Sequence, residues 1–548
     1  MSGFVALFQR NGAPVDRSLL SGLTSFLEFR GPDGCDTWSS GPVGLGHTLF
    51  RTTRSVADER QPVSFDGHAW IVADARLDRR AELKDQLRNA GQDVDSDASD
   101  AELILHAFLA WKDDCARHIY GDFAFVIWDG RTQRLFCARD HFGIRPFYYA
   151  VTPDFVLCSN TLDCIRQHPG VSDELNDQAV ADFLLFGLNL DRGTTTFRDI
   201  QRLTPAHVLS ASANDVYARR YWSVPVDGRI RYRREEEYAE HFLEILHSAV
   251  ADRMDADHVG IFLSGGMDSG AIAATAKEIA RDSGTKLRGY TVTYEQLLGD
   301  REGYFAQQTA DFLNIPLEII SMDHLQPFRS GEESDFAFPE PLDDPMAYGI
   351  REQFATVAKD CRVALYGEGI DNLMYFQLAP YLRDCVKRGE WLTCAGALSG
   401  YLWNQRSRWH RLGHRLKRRF TSKDLDTTLP PWVAPDFRRR VNLTERFKHF
   451  DLPAVSPQHS ILPIAHASLE LPQWLRLFEV SNAGFTQQLV EMRYPFLDLR
   501  IVDYLLALPP FPLFFHKKLE RDAMTGRLPE VTLKRPKTPL GTRPCVAA

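Results

Sequence analysis

The stretch that most constrains the fold of this 548-residue chain runs from position 259 to 274. Val259-Gly-Ile-Phe-Leu263 is an apolar run of strand length that stops at Ser264-Gly265-Gly266, and helix-forming residues begin after Asp268. A strand, a glycine-rich turn and a helix start together aim backbone N–H groups and the positive end of a helix dipole at one point, which suits a phosphate. Gly265 and Gly266 permit close backbone approach, and the hydroxyls of Ser264 and Ser269 can donate to phosphate oxygens. Asp268 has the wrong sign to touch phosphate, so its natural role is to hold a magnesium ion that does. The Gly-Lys-Ser/Thr of a Walker loop is missing.

Downstream, strand and helix patterns alternate: strand at 287–292, helix at 302–313, strand at 317–320, helix at 353–359 and strand at 363–366. That alternation predicts a parallel α/β sheet with ligands at the carboxyl ends of its strands, where Leu263 and Val292 lie. Upstream the pattern differs. Short strands at 4–8, 70–73, 123–128, 135–138, 147–150 and 155–159, with helices at 80–89, 101–111 and 177–186, predict a layered α+β domain. It ends near Tyr221-Trp222, and a new helical pattern begins at 235–253. The expected domains are 1–222 and 232–548.

A net charge of −9 leaves no electrostatic footprint for nucleic acid. The nine cysteines are scattered without CxxC or Cys/His spacing and read as reduced, mostly buried thiols of a cytoplasmic protein. No signal peptide is legible, and the most apolar late stretch, 504–515, is broken by Pro509, Pro510 and Pro512, so it reads as core and not as a membrane span.

Ser264-Gly-Gly-Met-Asp-Ser269 resembles the pyrophosphate loop of the ATP pyrophosphatases, which split ATP between its α and β phosphates. In the first half, Arg30-Gly-Pro-Asp-Gly34, Gly121-Asp-Phe-Ala-Phe-Val-Ile-Trp-Asp129 and Ala138-Arg-Asp-His-Phe-Gly-Ile-Arg-Pro-Phe-Tyr-Tyr149 resemble, in order, segments of the glutaminase domain of asparagine synthetases. The chain is thereby identified as a member of the asparagine synthetase superfamily. The resemblance implies an Ntn-hydrolase-like layered domain followed by an α/β ATP-pyrophosphatase domain of the adenine nucleotide α-hydrolase type.

The departures from that family are informative. Its glutaminase uses a cysteine directly after the initiator Met; here that position is Ser2. Leu49 stands where an arginine grips the glutamine carboxylate, and Asp74-Ala75 stands where Asn-Gly supplies an oxyanion hole. A carboxylate there repels the developing oxyanion, where a donor would contribute ~2.7–4 kcal/mol. Asp100, matching a contact to the substrate ammonium, is retained. The first domain is expected to be a glutaminase scaffold without glutaminase activity.

In the second half, Leu365-Tyr-Gly-Glu-Gly-Ile-Asp371 resembles the family's second nucleotide loop. The resemblance implies that Gly367 lets the backbone approach ATP, that Asp371 shares Mg²⁺ with Asp268, and that Glu368 is a general base for the attacking amine. Leu263 and Val292 match adenine contacts. Glu491-Met-Arg-Tyr-Pro-Phe-Leu-Asp498 is expected to support the pyrophosphate loop from behind. Lys518-Leu-Glu-Arg521, Leu528-Pro529 and Lys534-Arg-Pro-Lys537 resemble the segment carrying the catalytic lysine, which Lys537 matches; Lys534 and Arg535 read as solvated, and Arg521 as a further approach to phosphate. The arginine- and lysine-rich stretch 405–419 reads equally as a solvated helix face or as a dock for an acidic peptide or partner domain.

Among relatives, the pattern is most similar to lasso-peptide cyclases, which keep a degenerate glutaminase domain and join a peptide's N-terminal amine to an Asp or Glu side chain through an acyl-adenylate. β-Lactam synthetases carry a tyrosine in the place of Glu368, and an ammonia-dependent asparagine synthetase leaves the divergent region 377–460 unexplained. The cyclase reading implies ATP and Mg²⁺, a precursor peptide as substrate, and a leader peptidase and a leader-binding protein as partners to test for.

Overall fold

The computed structural model describes residues 1–54, 59–226, 228–325, 338–405, 432–449 and 459–535. In the first half the strands are β1 (Gly3–Gln9), β2 (Gly34–Ser40), β3 (Val43–Leu49), β4 (Ala69–Leu77), β5 (Gly121–Asp129), β6 (Arg134–Arg139), β7 (Tyr148–Val151), β8 (Phe155–Ser159), β9 (Ile200–Arg202), β10 (His207–Ala211) and β11 (Val216–Arg220). They form two antiparallel sheets, ordered β2-β3-β1-β8-β7-β9 and β11-β10-β6-β5-β4.

Alternation along the strands decides the layering. Phe4, Ala6 and Phe8 of β1 meet Val72, Ala124, Val126 and Trp128 of the other sheet. Val5 and Leu7 face the opposite way, onto Leu20 and Leu23 of the helix Arg17–Phe26. Ile71, Phe123, Phe125 and Ile127 likewise turn outward, under the helices Arg80–Asn89 and Asp100–Trp111. Helix, sheet, sheet, helix is the layered α+β arrangement expected. Because both faces of β1 and β5 are covered, these strands are apolar throughout and legible as short runs. Five strands were not legible. Polar, exposed β2 has no apolar run, glycines interrupt β3, and β9, β10 and β11 are only 3, 5 and 5 residues long.

The second half holds a parallel sheet of β12 (His258–Phe262), β13 (Lys286–Thr293), β14 (Leu317–Ser321), β15 (Val363–Leu365) and β16 (Glu491–Arg493), ordered β14-β13-β12-β15-β16. The order runs outward from β12 in one direction and then, from β15, in the other. The switch point therefore lies between β12 and β15, and a crevice opens there at the carboxyl ends of an open α/β sheet. The helix Glu302–Leu313 falls where expected, whereas the one expected at 353–359 is Tyr348–Ala358. The 504–515 stretch is core: Tyr504, Leu505, Leu508, Leu513 and Phe514 are buried. No helix among the described residues is long and apolar enough to cross a membrane.

Buried ion pairs clamp the two halves. Arg253 donates to Asp78 of the first domain at 3.1 Å and to Asp498 at 2.8 Å, and Arg202 of β9 donates to Glu479 at 2.8 Å. Tyr221 donates to the Arg139 carbonyl at 3.0 Å, while Trp222 packs edge-on against His141 and Phe142. Six of the eight described cysteines are buried; Cys35 is exposed and Cys394 half-buried. The basic stretch 406–419, Lys537 and Cys545 lie outside the described residues.

Candidate active site

Leaving β12, the chain turns through Ser264-Gly265-Gly266 into the helix Met267–Ser283. Gly265 sits at φ +64, and a Cβ there would come within 2.5 Å of Phe305 Cβ and 2.6 Å of the Ala306 nitrogen, so the turn lies directly on the helix Glu302–Leu313. Gly266 is the N-cap and no side chain caps the helix, leaving its first N–H groups for a ligand. Ser269 was expected to meet phosphate, but it is 5% exposed and its hydroxyl accepts from the Ser264 nitrogen at 3.1 Å. It ties the turn closed. Ser264 is exposed and can reach a ligand.

The second loop, Tyr366 to Asp371, leaves β15 on the other side of the switch point. A Cβ at Gly367 would stand 3.1 Å from the Ser269 nitrogen, so the two loops touch there. Together they open a cavity of ≈ 440 Å³. Leu263, Val292 and Phe262 line one part, Ser264, Gly266 and Asp268 another, and Glu368 and Asp371 face them. Of the residues expected from the sequence, all the described ones except Gly265 line this single cavity; Gly265 shapes the turn beneath it.

Two charged residues of the cavity, Lys517 and Arg535, and one buried behind it, Glu520, differ from what the sequence suggests. Lys517 Nζ donates to Asp268 and lies 2.6 Å from Asp371 Oδ1. Burial alone would lower its pKa; Glu520, Asp268 and Asp371 overcome that and raise it. Glu520 is fully buried, and burial together with Asp268 lifts its pKa well above the usual carboxyl value. Arg535 was read as solvated. It is instead 13% exposed, bonded to Glu302 at 2.6 Å and to the Ser264 carbonyl at 3.4 Å, with its guanidinium 4.1 Å from the Phe305 ring centre. Lys534, 76% exposed, is solvated as expected. Arg521 lines the cavity and donates to the His516 carbonyl at 2.8 Å. The rings of Phe376, Tyr401, Phe511 and Phe515, which follow Asp371 and precede Lys517 along the chain, cluster together.

These residues fit ATP and magnesium. Asp268 and Asp371 converge on one cation, the Lys517 ammonium, and offer the hard oxygen donors that magnesium takes. Uncapped N–H groups suit the phosphates, and Leu263 and Val292 suit a base. When bound, the metal would neutralise phosphate charge.

The first domain's pocket is filled from within. The space among Met1, Ser2, Asp74, Arg80, Asp100 and Glu491 is ≈ 20 Å³. That is room for roughly one water and not for glutamine. Arg80 donates to Asp100, which also accepts from the Leu77 nitrogen at 3.0 Å, so the carboxylate expected to hold an ammonium already has a cation. Asp74 lies 3.7 Å from Arg30 and 3.6 Å from Arg145. Ser2 Oγ accepts from the Phe50 nitrogen at 3.1 Å. Glu491 was expected behind the pyrophosphate loop. It instead reaches into this pocket, accepting from the Met1 amine at 2.9 Å and pairing with Arg145 at 3.0 Å and Arg493 at 2.7 Å. Burial would raise its pKa, but these three cations hold it well below the usual range.

A model described as a glutamine amidotransferase domain matches residues 1–222, and one described as asparagine synthase matches residues 241–544, more than half of the chain. The chain belongs to the asparagine synthase family. It is an asparagine synthetase-like, ATP-dependent amide ligase that forms AMP, built from an Ntn-hydrolase-like domain and an ATP-pyrophosphatase domain. Among its relatives, "Asparagine synthetase [glutamine-hydrolyzing] 3" of Bacillus subtilis is 25% identical over 562 residues, covering 96% of this chain and 84% of that one. "Amidase chry2" of Gibberella zeae is 28% identical over 369 residues, 63% of this chain and 53% of its own length. A glutamine phosphoribosylpyrophosphate amidotransferase structure from B. subtilis aligns with 67% of this chain and 91% of its own at 13% identity and a TM-score of 0.30, too low to bear on the site.

Proposed function

We propose that this ligase closes a ring in a ribosomal peptide, joining the peptide's N-terminal amine to an internal Asp or Glu side chain, as lasso-peptide cyclases do. One observation carries the reading: the ATP-site residues share one open cavity with Glu368, while the glutamine pocket is occupied by Arg80, Glu491 and their partners. With no room for glutamine, the amine arrives on the substrate. The activated carboxylate oxygen attacks the α-phosphorus of ATP and pyrophosphate leaves; the amine nitrogen then attacks the acyl carbon and AMP leaves, with Glu368 accepting the amine's proton. Amine and carboxylate on one bound peptide make ring closure effectively unimolecular. Mg²⁺ is assigned to Asp268 and Asp371, and the proposed partners are the precursor peptide, a leader peptidase and a leader-binding protein.

The test is incubation of the purified protein with ATP, Mg²⁺ and the matched precursor, processed by its protease, followed by mass spectrometry. The expected product is lighter by one water, with the new amide mapped by fragmentation to the N-terminus and an Asp or Glu side chain. Asparagine formed from free aspartate and ammonia, with no peptide product, would replace this reading by ammonia-dependent synthesis.

A further inference from the structure

Lys517 lines the cavity and Glu520 is buried beside it, yet the adenylation chemistry leaves both without a task. The Lys517 ammonium occupies the point on which Asp268 and Asp371 converge. The backbone places it there at a cost: His516 and Lys517 are successive non-glycine residues in the left-handed region, at φ 52 and φ 55. From the same nitrogen, Glu520 Oε2 is 3.9 Å away, too far for a hydrogen bond. Neither carboxyl oxygen of fully buried Glu520 receives a hydrogen bond from the described residues, and the neighbouring Asp268 carboxylate offers it no donor. An orphaned buried carboxyl is costly and calls for an explanation. Magnesium, assigned to the same two aspartates, cannot share that point with an ammonium, because two cations in contact repel.

We propose that Lys517 is an exchangeable internal cation: when a divalent metal takes the Asp268–Asp371 pair, the ammonium moves the short distance to Glu520, which thereby gains its hydrogen-bond donor. The proposal rests on the magnesium assignment above. Lys517 is then a competitor of the metal, and Glu520 the positioning residue that lowers the cost of displacing it. The metal adds two positive charges while the lysine stays within the site, so Glu520 is the carboxyl that faces the displaced ammonium. The two functions of the pair also explain why a buried acid stands three residues from the lysine, on the helix Lys518–Ala523 that directly follows it.

Mn²⁺ serves as the probe, titrated into the full-length protein without nucleotide and followed by the EPR signal of the free ion. Lys517→Met is expected to bind Mn²⁺ about tenfold more tightly than the unmodified protein, within the usual range of coupling between two ligands. Glu520→Gln is expected to weaken Mn²⁺ binding several-fold in the lysine-containing protein and much less in the Lys517→Met background. Should Lys517→Met fail to fold, Lys517→Gln takes its place. Unchanged Mn²⁺ affinity on losing Lys517 overturns the exchange, and so does an equal loss from Glu520→Gln in both backgrounds, which is what a purely structural or electrostatic role gives. Asp268→Asn and Asp371→Asn separate the two layers of the argument. If they bind Mn²⁺ as the unmodified protein does, the magnesium assignment itself fails; if they lose it while Lys517→Met changes nothing, only the exchange fails.

Discussion

Gly265→Ala tests whether the phosphate turn is held by its contact with the neighbouring helix. The residue sits at φ +64, where an alanine costs about 1–2 kcal/mol. The new Cβ would also lie 2.5 Å from Phe305 Cβ and 2.6 Å from the Ala306 nitrogen. Reaching ordinary carbon contact needs about 1 Å of movement, by the turn or by the helix. Forcing a methyl into such a contact adds about 1–3 kcal/mol. If the helix yields, Glu302 moves with it and disturbs Arg535, its partner at 2.6 Å. Either way the phosphate end shifts, and a displacement of about 1 Å lowers a positioned reaction roughly 10²-fold. Gly284→Ala is the control. It lies at the other end of the same helix, at φ +71, with nothing within 4 Å of its added Cβ. It should lose only the backbone term, about 1–2 kcal/mol, and keep its rate. Stability is read by denaturant titration, and rate by AMP release with the matched peptide. Equal stability losses in the two variants, with both rates intact, would refute the argument.

Glutamine should yield no glutamate with the purified protein. Ser2→Ala should keep AMP formation while losing about 1 kcal/mol of stability with the Phe50 hydrogen bond; glutamate release would refute the filled-pocket argument. Acid should weaken the first domain through His47, which burial holds at about 4, below its ordinary 6.5. Below pH 6.5 the unfolded chain takes up a proton that the folded one refuses, so stability falls as pH drops toward 4, by about 2 kcal/mol between pH 7 and pH 5. Denaturant midpoints at those two pH values should converge for His47→Gln; an unchanged pH dependence would show that His47 does not carry the effect.

Much of this protein was legible before its structure. The strand, Gly265-Gly266 turn and helix start are adjacent in sequence, and a turn's chemistry is decided by its own residues, so the phosphate loop could be read directly. The same holds for the loop from Gly367 to Asp371. Periodicity over short windows exposed the strands that are covered on both faces, and failed for polar β2 and for the short β9, β10 and β11, whose pairing depends on distant partners.

What lay beyond reach was every feature made by residues far apart in the chain. Asp268 and Lys517 are 249 positions apart, and nothing local distinguishes Lys517 from Lys518 beside it; the fold sends one into the cavity and leaves the other 38% exposed. Arg535 and Lys534 are equally basic neighbours, yet only Arg535 meets Glu302 on a facing helix. Glu491 ends up in the first domain's pocket because its strand is the edge of the parallel sheet that adjoins it. The amino-acid sequence by itself determined which short segments could bind phosphate, metal and base, since those depend on residue type and local spacing. The tertiary structure alone decided which charges share one buried space, because burial and charge proximity are properties of packing between segments and leave no local trace.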